Sequence, residues 1–313
     1  MTTTATAAKP AGTEARTPRW RPGVLSIAIV LIAVIGLSVL IYPYAAQWLS
    51  SYNQSTLIRD YETSLQHADP SADDQLALAH SYNDALTAGV DLEAGANVPT
   101  GTGTGSGTLA YDDMLTTDDS GLMARIKIPS IDLDLPIYHG TSDDTLMEGA
   151  GHLEGSSLPV GGMGTHSVIT AHRGLANATM FSNLDQVDIG DRFTIEVMGE
   201  VLTYEVIETK VVAPEDTDSL RSVADNDLVT LVTCTPLGIN THRILVTAER
   251  VTPTPIADLE AAGADPTVPG FPWWAVIYGG GLVAAGVLLW RLGIADARVA
   301  ARKAAKAALS PES

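Results

Sequence analysis

One cysteine, three phenylalanines and 18 basic residues are all that 313 positions hold of those types. A single cysteine excludes a disulfide within the chain. It also excludes zinc or iron–sulfur sites built on several thiolates. The 18 Lys and Arg face 37 Asp and Glu, for a formal net charge of −19. Nucleic-acid binders need a basic stripe against phosphate, so that class is set aside. Hydrophobic residues still make up 45%, too many for a wholly disordered chain, and they are spread unevenly.

Two long stretches carry no charge at all. Val24 to Ile41 reads VLSIAIVLIAVIGLSVLI and Trp273 to Trp290 reads WWAVIYGGGLVAAGVLLW. Each approaches the ~20 residues a helix needs to cross a hydrocarbon core. Trp20, Tyr42, Tyr44 and Trp48 flank the first; Trp273, Trp274 and Trp290 flank the second. Amphipathic rings favour that interfacial position. A cleaved secretion signal competes for the first run, but the run exceeds the roughly 7–15 apolar residues of such signals. An uncleaved anchor is therefore expected, although Ala45-Ala46 resembles a weak cleavage site. A buried core helix competes for the second; Gly279-Gly280-Gly281 and the lack of a polar face favour a span.

Basic residues crowd outside both runs. Lys9, Arg16, Arg19 and Arg21 oppose only Glu14, and Arg291, Arg298, Arg302, Lys303 and Lys306 oppose Asp296 and Glu312. Both tails are expected in the cytoplasm, with an acidic domain between the spans on the outer side of the cell membrane. In that oxidising compartment Cys234 cannot act as a crosslink within the chain.

Leu57, Ile58, Tyr61 and Leu65 recur at helical spacing until Asp69-Pro70 stops them. Ser71 and Asp74 resemble a capping box before Leu78, Tyr82 and Leu86, and Gly89 suits a helix end. Residues 90–122 have no period. Their TGTGTGSGT tract lacks the preceding strand and following helix of a nucleotide loop, so a flexible linker is the better reading. From Met123 onward, strands are expected at 125–129, 165–171, 193–197, 201–212, 228–234 and 243–251. Met198-Gly199-Glu200 is a hairpin signal, and short helices fit at 142–149 and near 181–184. Strands of this length and spacing make the fold mainly β, a small closed barrel. The expected order is a tail (1–23), a transmembrane helix (24–42), an N-terminal helical region (43–89), a loop (90–122), the barrel (123–252), a Pro/Ala-rich linker (253–272), a second transmembrane helix (273–290) and a basic tail (291–313).

Cys234 ends the strand LVTLVTC, beside a loop containing Pro236 and Gly238. There its thiol is either a small buried hydrophobe or a nucleophile needing a base or cation nearby. Seven histidines are candidate bases. His67 and His80 fall in the stalk helices, and His139 and His152 flank the 142–149 helix. His172 ends a strand as Cys234 does; His166 begins that same strand and belongs at the other end of the barrel. Arg243 lies nine residues after the cysteine, across one loop. Strand alternation sends His242 to the opposite face. A fixed guanidinium beside the thiol could stabilise an oxyanion or bind substrate; an acidic-surface ion pair is its plainer role.

Thr230-Leu231-Val232-Thr233-Cys234 with the downstream Arg243 resembles the signature of sortases, and Thr170-Ala171-His172-Arg173-Gly174 resembles the catalytic-histidine segment of that family. Leu158-Pro159-Val160-Gly161-Gly162 ahead of Thr165-His166 fits as well. The resemblance covers about 123–252; the Cys-Thr-Pro continuation, the N-terminal helices and the two anchors resemble class C, the pilus-building sortases. It implies a sortase-like barrel of about eight strands, with short helices. It implies that Cys234 attacks the Thr carbonyl of a Leu-Pro-x-Thr-Gly sorting signal on a secreted protein of a Gram-positive cell surface. His172 would serve as acid and base, and Arg243 would hold the oxyanion or substrate. A pilin lysine would resolve the thioester as an isopeptide bond. No metal or cofactor is implied. Thr233 is a candidate substrate-side residue.

Class C enzymes carry a lid with Asp-Pro and an aromatic residue. Here Asp69-Pro70-Ser71 and Asp265-Pro266-Thr267 are misplaced and lack the aromatic. Position alone nominates 90–120 as a looser lid, with Asp91 toward Arg243 and Leu92 over Cys234. Two other readings compete: a sortase joining surface proteins to the cell-wall peptide, and a non-catalytic anchored scaffold. Papain-like hydrolases place cysteine before histidine, and L,D-transpeptidases need a Ser-His-Gly-Cys run; neither pattern is present.

Overall fold

A computed structural model describes residues 20–86, 90–91, 100–101, 111–117 and 121–308. The chain divides into two compact units. One holds the apolar stretches up to Tyr42 and from Trp273; the other runs from Pro43 to Pro272. Helix α1 (Val24–Ser64) runs through Pro43 and through the boundary that hydropathy places at 42. That boundary marks a change of surface rather than of secondary structure. Helix α2 (Ala72–Ala85) starts at Ser71, whose Oγ accepts from Asp74 N and donates to the Asp74 carboxylate. Aspartate thus fills the capping-box position that glutamate usually takes. Helix α2 ends at Ala85; Gly89, expected near its end, lies outside the described residues.

Two-residue strands β1 (Val90–Asp91) and β2 (Thr100–Gly101) pair with each other. Then come β3 (Leu122–Ile128), β4 (Leu133–His139), helix α3 (Asp143–Glu148), β5 (Ala150–His152), β6 (Thr165–Thr170), β7 (Arg192–Val197), β8 (Glu200–Val212), β9 (Asp227–Thr235) and β10 (His242–Arg250). A short helix α4 (Ile256–Glu260) and the long α5 (Trp273–Ala308) complete the chain. Helices α1 and α5 are each long and apolar enough to cross a membrane, with window mean hydropathies of 3.1 and 1.6.

Strands β3 to β10 close a barrel in the order β10-β8-β7-β3-β4-β5-β6-β9. The mainly β expectation and its strand number are met. Two pairings, β4–β5 and β6–β9, are parallel; the rest are antiparallel. The β7–β8 hairpin turns on Met198 and Gly199, both at positive φ (47° and 82°), the conformation a two-residue turn needs between right-twisted strands. In β5, Gly151 lies against the Gly140 carbonyl and Leu146, leaving no room for a Cβ.

Leu231, Val229, Ile126, Ile137 and Phe193 are among the side chains of the continuous core. Tyr111, Met114 and Leu115 join it from the otherwise period-free stretch before β3. A buried ionic cluster sits outside that core. Arg125, 1% exposed, donates from Nε and Nη2 to Asp134 at 2.7 Å each and from Nη1 to Ala264 O at 2.9 Å. Its Nη1 also lies 3.4 Å from Glu196, which pairs with Lys127 at 2.6 Å.

Candidate functional site

Strand β9 is buried along nearly its whole length, which suits its run of apolar and β-branched residues. It lies parallel to β6 with a constant offset: Thr165 faces Asp227 and Thr170 faces Val232. Continued two residues past Thr170, that register sets His172 level with Cys234. Side chains fix the continuation. Thr233 Oγ1 donates to Ala171 O at 2.7 Å, and Arg173 Nη1 donates to Thr235 Oγ1 at 3.0 Å, both across the same 62-residue separation. The neighbours of the histidine and of the cysteine are thus tied on both sides. Thr233 is 1% exposed, with its hydroxyl turned to the backbone that carries His172.

Arg173 is engaged further. Its Nη2 pairs with Asp185 at 2.6 Å, and its Nε donates to Ser182 O at 3.3 Å. Phe181 N donates to His172 O at 3.0 Å. These bonds hold the turn after His172 against the 181–185 segment. The sequence singled out Arg173 only as the neighbour of His172; its match to Thr235 becomes visible once the β6–β9 offset is known.

On the other side of β9, antiparallel pairing sets Arg243 of β10 opposite Cys234. Arg243 is fully buried while His242 is exposed, as alternation requires. Its Nη1 donates to Asn240 O at 2.9 Å and to His242 O at 3.1 Å, so the guanidinium also ties down the loop between β9 and β10. Cys234, His172, Arg173, Asn240, Asp143 and Met147 are among the residues lining a cavity of about 480 Å³. Asp143, in the first turn of α3, drew no attention in the sequence because its nearness to His172 arises only in the fold.

Burial raises the Cys234 thiol above its ordinary value, against the opposing Arg243 charge. Burial also lowers His172, against the pull of Asp143. Both shifts favour the neutral thiol and the neutral imidazole over the ion pair. Reaction needs both groups in defined states, so kcat/KM should follow a bell with apparent values that belong to the pair. The acid limb is expected below 6.5, the ordinary imidazole value, and the alkaline limb above the ordinary thiol value. An alkaline limb below that value would mean that the Arg243 charge outweighs burial at the sulfur.

The other histidines have structural partners or lie away from this cavity. His152 is buried, with Nδ1 2.9 Å from the Tyr111 hydroxyl and Nε2 2.8 Å from Ser157 O; burial pushes it down to about 4. His139 joins Gly121 O and Met114 O, and His166 joins Arg221 O and Thr230 Oγ1. Asp91 lies on β1, paired with Thr100. Leu92 lies outside the described residues. Among the described residues, no group of three or more His, Cys, Asp or Glu could hold a metal ion.

A thiol and an imidazole lining one cavity, with a buried guanidinium on the strand position paired to the thiol, are an arrangement suited to acyl transfer through sulfur. The family model for the sortase domain matches residues 126–251. Sortase C-1 from Actinomyces oris is 47% identical over 58% of this chain and 99% of its own, with a TM-score of 0.51. A sortase C from Streptococcus pneumoniae, whose structure was described in terms of catalysis and pilin substrate specificity, is 38% identical over 64% and 98%, with a TM-score of 0.55. Sortase D of Bacillus subtilis is 30% identical over 130 residues, 41% of this chain and 63% of that protein. The match thus spans just under two thirds of that curated relative's length.

Proposed function

Because the chain belongs to the sortase family, we propose that it is a membrane-anchored cysteine transpeptidase that joins Leu-Pro-x-Thr-Gly-bearing pilins through a lysine amine. The observation that carries this reading is the β6–β9 register, which brings His172 level with Cys234 while β10 sets Arg243 opposite the same cysteine.

The chemistry runs as follows. Cys234 Sγ passes its proton to His172 and bonds to the Thr carbonyl carbon of the sorting signal. The oxyanion forms beside the Arg243 guanidinium. Its collapse breaks the Thr–Gly C–N bond, and His172 protonates the departing glycine amine. The remaining thioester is attacked by an amine, and Cys234 leaves with a proton returned through His172. The pilin assignment draws on the S. pneumoniae relative, described with its pilin substrate specificity. Attachment to a cell-wall peptide uses the same acyl-enzyme and differs only in the amine.

Helices α1 and α5 are taken as the anchors, with both basic tails in the cytoplasm and the barrel outside. Segment 90–120 is taken as a cover over the cavity, with Asp91 toward Arg243 and Leu92 over Cys234. On that reading, Leu92→Ala and Asp91→Ala each speed alkylation of Cys234 by a bulky maleimide; unchanged rates would remove the cover from the proposal.

Intact mass spectrometry tests the central claim. The full chain in detergent, incubated with a secreted pilin ending in Leu-Pro-x-Thr-Gly, should gain the mass of the substrate cut after Thr. Isopeptide-linked pilin multimers should follow. Adduct without multimers, resolved instead by a wall-peptide amine, would select wall anchoring. No adduct across several sorting signals would leave an anchored scaffold.

A further inference from the structure

The reacting cavity holds two charged side chains besides the imidazole and the sulfur, and they differ in occupation. Arg173 is engaged by Asp185, Thr235 and Ser182 O. Asp143 has no lysine or arginine partner among the described residues and is exposed at the rim of the cavity. Its position is well fixed. Ser142 Oγ caps α3 by accepting from Thr145 N at 3.1 Å, the Leu146 side chain is fully buried beneath the helix, and Gln54 Nε2 donates to Glu148 O at 3.0 Å. A carboxylate is thus held on a braced element, facing solvent, beside the base.

We propose that Asp143 is the docking point for the incoming primary amine, which it receives as an ammonium and delivers to His172. The inference rests on the transpeptidase reading above and adds the acceptor's subsite to it. A lysine amine is almost wholly protonated at neutral pH and cannot attack a thioester in that form. A carboxylate near the cavity mouth concentrates the cation where the base can take its proton. The proton balance is complete. One ammonium proton passes to His172 and on to solvent. The neutral nitrogen then bonds to the thioester carbon, its second proton crosses through His172 to the departing Cys234 sulfur, and the C–S bond breaks. The field of Asp143 at His172 acts in the same sense, since it favours the protonated imidazole against burial.

The test compares two acceptors on one acyl-enzyme. The full chain in detergent is loaded with a Leu-Pro-Glu-Thr-Gly peptide and resolved with Nα-acetyl-lysine amide, a cation, or with hydroxylamine, which is neutral at the same pH. In Asp143→Asn, the ratio of kcat/KM for the lysine acceptor to that for hydroxylamine should fall about fivefold, the size expected of a rim-exposed ion pair. High salt should shrink the wild-type preference toward the variant's. Asp143→Glu should restore most of the ratio. An unchanged ratio, with both acceptors falling together, would make Asp143 a support for His172 or for α3 and overturn the assignment. Failure of the wild-type chain to form any acyl-enzyme would remove the transpeptidase reading, and the acceptor site with it.

Discussion

Cys234→Ala is expected to abolish the acyl-enzyme and lower turnover by about 10⁴-fold or more, the scale seen when a covalent nucleophile is removed. The fold should survive. Alanine keeps the strand's pairing with β6 and β10 and deletes only one buried sulfur at the end of β9. His172→Ala should cost a similar factor, and the double variant should lose little more than either single one. Groups that act as a unit in one step are grossly non-additive. Steady-state turnover with circular dichroism as the folding check reads all three. Losses that multiplied in the double variant would mean that His172 acts apart from the sulfur.

The pairing of Cys234 with Arg243 was legible in the sequence because strand chemistry announces itself, whereas His172 stood out among seven histidines through the resemblance of its segment to that of sortases. The run LVTLVTC, the loop after it and Arg243 nine residues on point to an antiparallel pair, and the ladder sets Cys234 opposite Arg243. Six of the eight barrel strands stood out by β-branched runs and turn residues. Strands β4 and β5 did not. β4 carries Pro136 opposite Arg125 in the ladder, and proline argues against a strand when the sequence is read alone. β5 is three residues, Ala-Gly-His, too short for any period and defined only by its neighbours β4 and β6. Tyr111 was hidden for another reason: it lies in a stretch without periodicity, and its value comes from the His152 and Gly140 partners that the fold supplies. Asp143 and Arg173 belong to the same class, with roles set by tertiary proximity.

The second large effect concerns stability. Arg125→Met should destabilise the barrel unit by about 3–5 kcal/mol, the usual consequence of removing one partner from a buried ionic cluster. Asp134 would keep a partly buried carboxylate and Glu196 a buried one, with Lys127 alone to answer Glu196. The Ala264 carbonyl would lose its donor, which loosens the segment leading toward α5. Thermal unfolding should shift down by roughly 10 °C for a unit of this size. Arg125→Lys should fall between, since it keeps the charge but loses the planar fork that meets both Asp134 oxygens. A shift under about 2 °C in the methionine variant would mean that the cluster contributes little beyond its own desolvation.

The 62-residue separation between β6 and β9 sets when reactivity can appear as well as where. Two parallel strands joined by so long a connection, with β7 and β8 inside it, meet late in folding, because loop closure must precede the contact. Before that meeting, Cys234 is an ordinary exposed thiol with no base beside it. A newly emerged chain is therefore catalytically idle until its barrel shuts, and the slowing of thiol alkylation during refolding becomes a clock for that last event.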